Sequence, residues 1–312
     1  MYEPFYGFSE KPFSLLPDPD FLYMGDKHSS AYAMLQYGLT NQAGFTVITG
    51  GIGCGKTTLL RHLLDELDDD ISVGLISNTQ QNVGHLLQWV LMAFGLPYRG
   101  KSKVELYETF YDFLIEEYAR NRRTVLIIDE AQNLSAALLE EFRMLSNINA
   151  DKNQIIQMIL VGQPQLRDLL RRPELEQFAQ RIVADYHLTA LNMAETAEYI
   201  HTRTFKAGVE EPMFNKGATD LIYRYTRGVP RLINIMCDTA LVYGFAVEAE
   251  MITATIVQMV AKDKAETGLL RLDYDHEKRD RAAASAADWP DDNTLVDFDP
   301  EQARYSLKKL PE

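Results

Sequence analysis

A glycine-rich run directly after an apolar stretch constrains this chain more than any other feature. Residues 45–48 read Phe-Thr-Val-Ile, and residues 50–57 read Gly-Gly-Ile-Gly-Cys-Gly-Lys-Thr. The run fits the phosphate-binding pattern of a glycine, four residues and Gly-Lys-Thr. Glycines suit such a loop because backbone N–H groups close around phosphate oxygens only where no Cβ intrudes and positive φ angles are cheap. With a strand signal before it and a helix signal after it, the run predicts a nucleotide-binding loop.

The residues of this loop have separate expected tasks. Lys56 brings a positive charge to the β and γ phosphates, and Thr57 offers its hydroxyl to Mg²⁺. A helix predicted over residues 56–67 carries leucines on one face and points its positive N-terminal end at the anion. Cys54 is either an oxidisable thiol or an inert small residue, and we favour the inert one. The residues predicted to bind the nucleotide are Gly50, Gly51, Ile52, Gly53, Cys54, Gly55, Lys56, Thr57 and Thr58.

A second motif places two acids at the end of a continuous apolar run. Residues 124–128 are typical of a strand that is buried on both faces of a sheet, and Asp129 and Glu130 follow them. Because side chains alternate along a strand, the two carboxylates point in different directions. Asp129 is predicted to hold Mg²⁺ together with Thr57, and Glu130 to orient or deprotonate the attacking water. A solvated turn is the alternative, and the phosphate loop upstream argues against it.

The order of strand and helix signals predicts the fold class and four segments. Residues 1–44 form an N-terminal segment that lies extended across the core and includes a helix over residues 26–39. Residues 45–190 alternate strand and helix, which predicts an α/β core with a parallel five-stranded sheet sandwiched by helices. Residues 191–262 form a small all-α domain, broken at Gly208, Gly217 and residues 228–230. Residues 263–312 are predicted to be a disordered acidic tail. The predicted strands are residues 45–49, 73–77, 124–129, 155–161 and 184–188.

Composition indicates the cellular compartment of this protein. A chain of 312 residues that is 46% hydrophobic can bury one substantial core. It contains no run near the ~20 apolar residues that span a bilayer, and its first residues lack the pattern of a signal peptide. Its two cysteines, Cys54 and Cys237, fit a reducing compartment. These features predict a cytoplasmic protein.

Charge argues against nucleic acid as a partner. The formal net charge is -14, whereas binding to a phosphate backbone needs clustered Lys and Arg side chains. A local basic cluster does occur at Arg120, Arg122 and Arg123, but a solvated turn explains it better. We therefore expect no nucleic-acid partner.

Several short motifs lie at residues 5–7, 17–19, 45–50, 129–134, 160–164 and 228–234. Three of them, Asp-Glu-Ala-Gln-Asn at residues 129–133, Val-Gly-Gln-Pro at 161–164 and Gly-Val-Pro-Arg at 228–231, are together far more specific than the phosphate loop alone. With these motifs, residues 1 to about 262 resemble the AAA+ ATPases called general secretion pathway protein A. This group includes cytoplasmic ATPases that accompany pilus and type II secretion systems or lie near exosortase and exopolysaccharide loci. The resemblance implies a P-loop AAA+ fold that uses ATP and Mg²⁺.

The resemblance also implies roles for residues near the nucleotide. Gln163 matches the polar residue between the carboxylates and the γ-phosphate, unless it merely caps a loop. Arg231 matches the lid arginine that reaches back to the nucleotide, unless it is a surface arginine. Tyr23 and His28 match the segment that frames adenine, although ordinary packing explains them at least as well.

Oligomerisation follows from a fourth implied role. Arg181 matches the arginine finger that reaches the nucleotide of a neighbouring subunit, which requires a homo-oligomer. A structural salt bridge is the alternative for Arg181, and Arg171 and Arg172 are other candidates for the finger. The expected partners are therefore ATP, further copies of this chain, and an inner-membrane component of a secretion or polysaccharide-export system that holds the chain peripherally.

Three functions remain open at this point. The first is an ATPase that drives or regulates assembly of an envelope secretion, pilus or exopolysaccharide-export system. The second is an ATP-gated, DNA-associated regulator related to transposition or replication-loading ATPases, which would need a basic surface or an added winged-helix domain. The third is an ATP-sensing scaffold with negligible turnover. The prototypes of the family continue into a membrane span and a peptidoglycan-binding domain that this sequence lacks, so anchoring and cell-wall functions are not expected.

Overall fold

A parallel sheet forms the centre of the protein. The computed structural model describes residues 1–77, 86–150, 153–267 and 272–273. The strands are β1 (Phe45–Gly50), β2 (Ile71–Ile76), β3 (Arg123–Ile128), β4 (Asn149–Ala150), β5 (Asn153–Gln154), β6 (Ile156–Gly162) and β7 (Ile182–Leu188). Five of them form one parallel sheet in the order β2-β3-β6-β1-β7, and β4 and β5 pair as a small antiparallel hairpin. The predicted five-stranded parallel sheet is confirmed, and each strand end lies within two residues of its predicted position.

Helices cover both faces of this sheet, as the alternation of strand and helix predicted. Leu126 and Ile128 of β3 pack into one apolar cluster, and Val125 and Ile127 pack into another on the opposite face. Side-chain alternation along the strand thus supplies both layers of the core. The helices of this part are α2 (Asp26–Thr40), α3 (Lys56–Asp65), α4 (Leu86–Ala93), α5 (Lys103–Ala119), α6 (Ala136–Leu145), α7 (Pro164–Leu170) and α8 (Glu176–Ala179), and the short α1 (Glu3–Tyr6) before them packs elsewhere.

Four further helices build the lid around a separate apolar cluster. They are α9 (Met193–Lys206), α10 (Lys216–Thr226), α11 (Pro230–Ala246) and α12 (Ala254–Thr267). Gly217, predicted as a break, lies inside α10, because the side chain of Asn215 accepts from the N–H of Ala218 at 2.8 Å and starts the helix before it. Among the described residues, no helix is both long and apolar enough to cross a bilayer.

The lid extends beyond the predicted boundary at Lys262. Helix α12 continues to Thr267. Leu272 is buried in the lid cluster, and the N–H of Asp273 donates to the carbonyl of Tyr225 at 2.8 Å. These residues therefore do not belong to a disordered tail, since the lid core needs their contacts. The remainder of that predicted tail, residues 268–271 and 274–312, lies outside the described residues.

The first residues pack on the lid and not across the sheet as expected. The N–H of Ser9 donates to the carbonyl of Ala207 at 2.8 Å, and the ammonium of Lys206 donates to the carbonyl of Leu22 at 3.1 Å. The physical reason is that the lid helices leave an apolar face that aromatic side chains cover. Helix α2, by contrast, packs against α3 and β7 on the core. The aromatic residues buried in the lid cluster are Tyr2, Tyr6, Phe8, Phe13 and Phe21.

Candidate nucleotide-binding site

The predicted phosphate loop connects the end of β1 to the start of α3. The ammonium of Lys56 donates to the carbonyls of Gly50 at 2.8 Å and Gly51 at 3.0 Å, and its burial lowers the pKa of Lys56. Gly55 has φ of 96°, and a Cβ there would lie 2.8 Å from Nε2 of His28, so only glycine fits. The loop thus holds a buried lysine ammonium at the N-terminal end of a helix, where anions bind favourably.

Asp129 lies beside this loop at the end of β3. Oγ1 of Thr57 lies 3.5 Å from Oδ2 of Asp129, and burial raises the pKa of the Asp129 carboxyl group. The described residues contain no group of three or more His, Cys, Asp or Glu side chains that could hold a metal ion. Thr57 and Asp129 therefore offer two oxygen ligands, and a Mg²⁺ ion there would need phosphate oxygens and water for the remaining positions.

Glu130 is held by two glutamine side chains. Oε2 of Glu130 accepts from Nε2 of Gln132 at 2.6 Å and from Nε2 of Gln163 at 3.2 Å. Oε1 of Gln132 in turn accepts the backbone N–H of Gln163 at 2.9 Å. Glu130 has φ of 54° and ψ of 35°, a left-handed conformation that costs free energy for a residue with a Cβ. The local backbone and the two amides together fix the direction of this carboxylate.

Gln132 is a site residue that the sequence analysis missed. It lies in the short turn Ala131–Asn133, which brings its side chain back toward Glu130 and links β3 to the end of β6. Its position in the motif at residues 129–134 was the available signal. The motif suggested a family, but the hydrogen bonds of Gln132 depend on the turn that follows the strand.

The lid contacts the loop through the start of α11. The backbone N–H of Arg231 donates to the carbonyl of Gly53 at 3.2 Å. Gly228 allows this approach, because it has φ of 71° and a Cβ there would lie 1.8 Å from the carbonyl oxygen of Leu191. The chain therefore turns tightly before Pro230 and presents Arg231 beside the phosphate loop.

A cavity of about 250 Å³ lies between the loop, the lid and the N-terminal segment. The residues that line this cavity and were predicted from the sequence are Ile52, Gly53, Gly55, Lys56, Thr57, Thr58, Glu130, Gln163 and Arg231, together with Tyr23 and His28. Gly50 and Gly51 join them through the ammonium of Lys56, and Asp129 joins them through Thr57. One cavity thus brings together most of the site residues that were predicted from separate parts of the sequence.

Cys54, within the loop, and His28, beside it, are buried neighbours. The thiol of Cys54 is buried, and this burial raises its pKa. A thiol of raised pKa forms little thiolate, which fits the inert role. Nε2 of His28 lies 3.1 Å from the carbonyl oxygen of Cys54, and burial lowers the pKa of His28. Because a carbonyl only accepts, we assign the ring proton of a neutral His28 to Nε2.

Sequence comparison identifies the domain that carries this cavity. The AAA domain family matches residues 39–170, and the chain is 40% identical over 247 residues to general secretion pathway protein A of Aeromonas hydrophila. The chain is an AAA+ protein related to general secretion pathway protein A. The match covers 79% of this chain but 45% of that protein, so the chain spans less than half the length of its relative.

Solved structures support the AAA+ fold independently. The ORC2 protein of Aeropyrum pernix matches with a TM-score of 0.62 at 17% identity, covering 84% of this chain and 75% of that one. Cdc6p of Pyrobaculum aerophilum matches with a TM-score of 0.57 at 18% identity, covering 80% of this chain and 68% of that one. At such identities the likeness concerns the fold alone.

The structure does not bring Arg181 into the cavity of this AAA+ protein. Nη1 of Arg181 donates to Oγ of Ser146 at 2.8 Å and to the carbonyl of Arg143 at 3.3 Å. These partners are neutral oxygens and not the carboxylate that a salt bridge would need. Arg171 and Arg172 are exposed, and Arg172 forms an ion pair with Glu174 at 3.7 Å. The arginine finger therefore stays a prediction.

The contact between Gln132 and Glu130 gives a testable prediction. In Gln132→Leu, Glu130 loses the 2.6 Å hydrogen bond from Nε2 of Gln132, so we expect kcat for ATP hydrolysis to fall by about 10- to 100-fold while ATP affinity stays unchanged. Steady-state phosphate release and ATP titration measure the two quantities separately. Gln177→Leu, at an exposed glutamine of α8, is the control. An unchanged kcat in Gln132→Leu would remove Gln132 from the positioning of Glu130.

Proposed function

We propose that this chain binds and hydrolyses ATP with Mg²⁺, and that its nucleotide state drives or regulates assembly of an envelope secretion, pilus or exopolysaccharide-export system. The observation that carries the proposal is the Glu130 carboxylate, which lines the same cavity as the phosphate loop and is held by the amide of Gln163. A carboxylate fixed beside a phosphate site can orient a water molecule for in-line attack.

The proposed roles follow the position of each side chain. The loop from Gly50 to Thr58 binds the phosphates, with Lys56 as the cation. Thr57 and Asp129 would hold Mg²⁺, which neutralises charge on the phosphates when it is bound. The buried neighbourhood of Lys56 and Asp129 strengthens each of these electrostatic contacts.

Glu130 and Gln163 act on the attacking water. Glu130 accepts a proton from the water as general base. The amide N–H of Gln163 can donate a hydrogen bond to the γ-phosphate, and its amide oxygen can accept one from the water. Arg231 lies at the start of α11 in the lid and beside the phosphate loop. Its guanidinium can therefore respond to the loss of the γ-phosphate, and α11 then moves with it. Hydrolysis would then change the lid position.

Steady-state phosphate release by the wild-type protein tests the catalytic part of this proposal. We expect turnover with ATP and Mg²⁺ and none after chelation of Mg²⁺ with EDTA. An absence of turnover together with tight ATP binding would favour the ATP-sensing scaffold.

The secretion link rests on the relative and not on the cavity. The relative is named for the general secretion pathway. On that basis we propose a peripheral position for this chain at the inner membrane, where a secretion or polysaccharide-export component would bind it. We propose a cytoplasmic location for the chain in that assembly. Only a likeness of fold supports the DNA-associated alternative, and the net charge of -14 argues against it.

A homo-oligomer with Arg181 acting in trans is the proposed working form. Arg181→Ala should bind ATP normally but hydrolyse it at least about tenfold more slowly. Mixing it with Glu130→Gln should restore activity, because one subunit then supplies the base and its neighbour supplies the arginine. Phosphate release across mixing ratios measures this rescue.

The matched variants decide between arginines. Arg171→Ala and Arg172→Ala are mixed with Glu130→Gln in the same way. Rescue confined to one of these two would move the finger there. No rescue of Arg181→Ala at any ratio would leave Arg181 with the local hydrogen bonds it makes to Ser146 and Arg143.

A further inference from the structure

Arg203 is a buried cation of the lid for which the proposed catalytic steps have no use. It lies on α9 and is only 6% exposed. Nε of Arg203 donates to the carbonyl of Pro12, and Nη1 donates to the hydroxyl of Tyr199 at 3.1 Å. The guanidinium also lies 4.9 Å from the ring centroid of Phe21 and 5.7 Å from that of Tyr199. Two aromatic rings and two hydrogen bonds thus fix its plane.

One nitrogen of this guanidinium has no partner. Nη2 of Arg203 is buried without a hydrogen bond, and Arg203 pairs with no carboxylate in the described part of the chain. Buried donors are almost always satisfied, and an unsatisfied donor on a charged group is costly. Arg203 also lines the cavity that contains Lys56 and Glu130. A ligand in this cavity could supply the acceptor that Nη2 lacks.

The surroundings of Arg203 suit a flat heteroaromatic acceptor. Its contacts come from the N-terminal segment and α9, whereas the cationic contact for phosphate comes from Lys56 at the loop. Phe21 and Tyr23 also line the cavity, so apolar rings surround the polar groups here. Ring nitrogens of a purine accept hydrogen bonds in the plane of the base, and a single guanidinium N–H can donate to one of them.

His28 supplies a second unpartnered group in the same cavity. With the proton on Nε2, Nδ1 of His28 is an acceptor, and it is buried without a hydrogen bond. Two residues that line the cavity thus each carry a buried polar atom without a partner, a donor on Arg203 and an acceptor on His28. Adenine carries both complements, since its ring nitrogens accept and its exocyclic amino group donates.

We propose that Nη2 of Arg203 donates a hydrogen bond to a ring nitrogen of the adenine base and thereby determines how the base is bound. This inference rests on the proposed function, because it assumes that the cavity binds ATP. Tyr199 and Phe21 act as positioning residues that hold the guanidinium in place. The nearest signal in the sequence is the spacing of Tyr199 and Arg203, which puts them on one face of a helix.

ATP analogues that each lack one ring nitrogen test the contact in the wild-type protein. We would measure Kd for ATP, 1-deaza-ATP, 3-deaza-ATP and 7-deaza-ATP. One analogue is expected to bind about 10- to 100-fold more weakly than ATP, the usual loss when a charged donor is left unpaired. Equal affinities within about twofold for all four ligands would overturn the proposal. That result needs no variant, so it stands even if the variants fold poorly.

Substitutions then assign the loss to Arg203. In Arg203→Met, ATP should bind about 10- to 100-fold more weakly, and the sensitive analogue should now bind as well as ATP. Arg203→Lys keeps a cation but not the planar guanidinium, and it should likewise no longer discriminate between ATP and the sensitive analogue. Circular dichroism checks the fold of both. A full analogue penalty in a folded variant would contradict the contact.

Arg99 provides a matched control. It also lies over an aromatic ring, at 5.9 Å from the centroid of Tyr98, but it is exposed and does not line the cavity. Arg99→Met should keep both the affinity for ATP and the analogue penalty. If the wild-type protein bound no ATP at all, the proposed function itself would fail. If it bound ATP and all three analogues alike, only the role of Arg203 would fail.

Discussion

Lys56→Ala is expected to lower the affinity for ATP by about 1000-fold. The ammonium is buried at the N-terminal end of α3, and its two present partners are the carbonyls of Gly50 and Gly51, which leave it available to phosphate oxygens. Removing one partner of a buried charge contact typically costs several kcal/mol, because the other charge then lacks its counterpart. Titration with a fluorescent ATP analogue, checked by calorimetry, measures this loss.

Lys103→Ala is the control for this experiment. Lys103 is exposed, lies outside the cavity and forms a long surface ion pair with Glu141 at 3.9 Å, which contributes little. Its variant should bind ATP like the wild type. Intact ATP affinity in a folded Lys56→Ala protein would remove the argument that residues 50–57 form a phosphate loop.

Glu130→Gln is expected to slow hydrolysis by about 1000-fold and to trap ATP on the protein. The substitution keeps the shape of the side chain and an oxygen that Gln132 and Gln163 can reach, but it removes the general base. Phosphate release measures the turnover, and rapid filtration after incubation with labelled ATP measures how much uncleaved nucleotide remains bound. Binding should persist because Lys56 and Thr57 are untouched.

An exposed acid serves as the comparison for Glu130. Glu108 is exposed on α5 and lies outside the cavity, so Glu108→Gln should turn over ATP normally. Undiminished turnover in Glu130→Gln would show that another group activates the water.

The sheet and the phosphate loop could be predicted because their signals are local. An apolar run such as residues 124–128 predicts a buried strand from composition alone, and the glycines at residues 50–55 predict a loop without help from distant residues. The order of these elements then fixes a parallel sheet with helices on both faces. Asp129 and Glu130 were found for the same reason, since they directly follow a strand.

The parts that sequence could not predict depend on distant contacts. The hydrogen bonds of Gln132 need a turn that folds back on Glu130. The burial of Arg203 needs Pro12 and Phe21 from the N-terminal segment, and Pro12 lies 191 residues earlier in the chain. Likewise, Leu272 reads as part of a polar tail, yet it fills a gap in the lid cluster. No local pattern carries this information, because each contact joins segments that are far apart in the sequence.

Light scattering of the purified protein with ADP and with ATP plus Mg²⁺ tests the central claim, a nucleotide-driven switch, most directly. Glu130→Gln holds the ATP state long enough to measure, and Lys56→Ala serves as the variant that cannot enter it. The proposed function predicts a shift from small species with ADP to a closed oligomer with ATP in Glu130→Gln, and no shift in Lys56→Ala. The same small species with ADP and with ATP would contradict a switch that works by assembly of this chain.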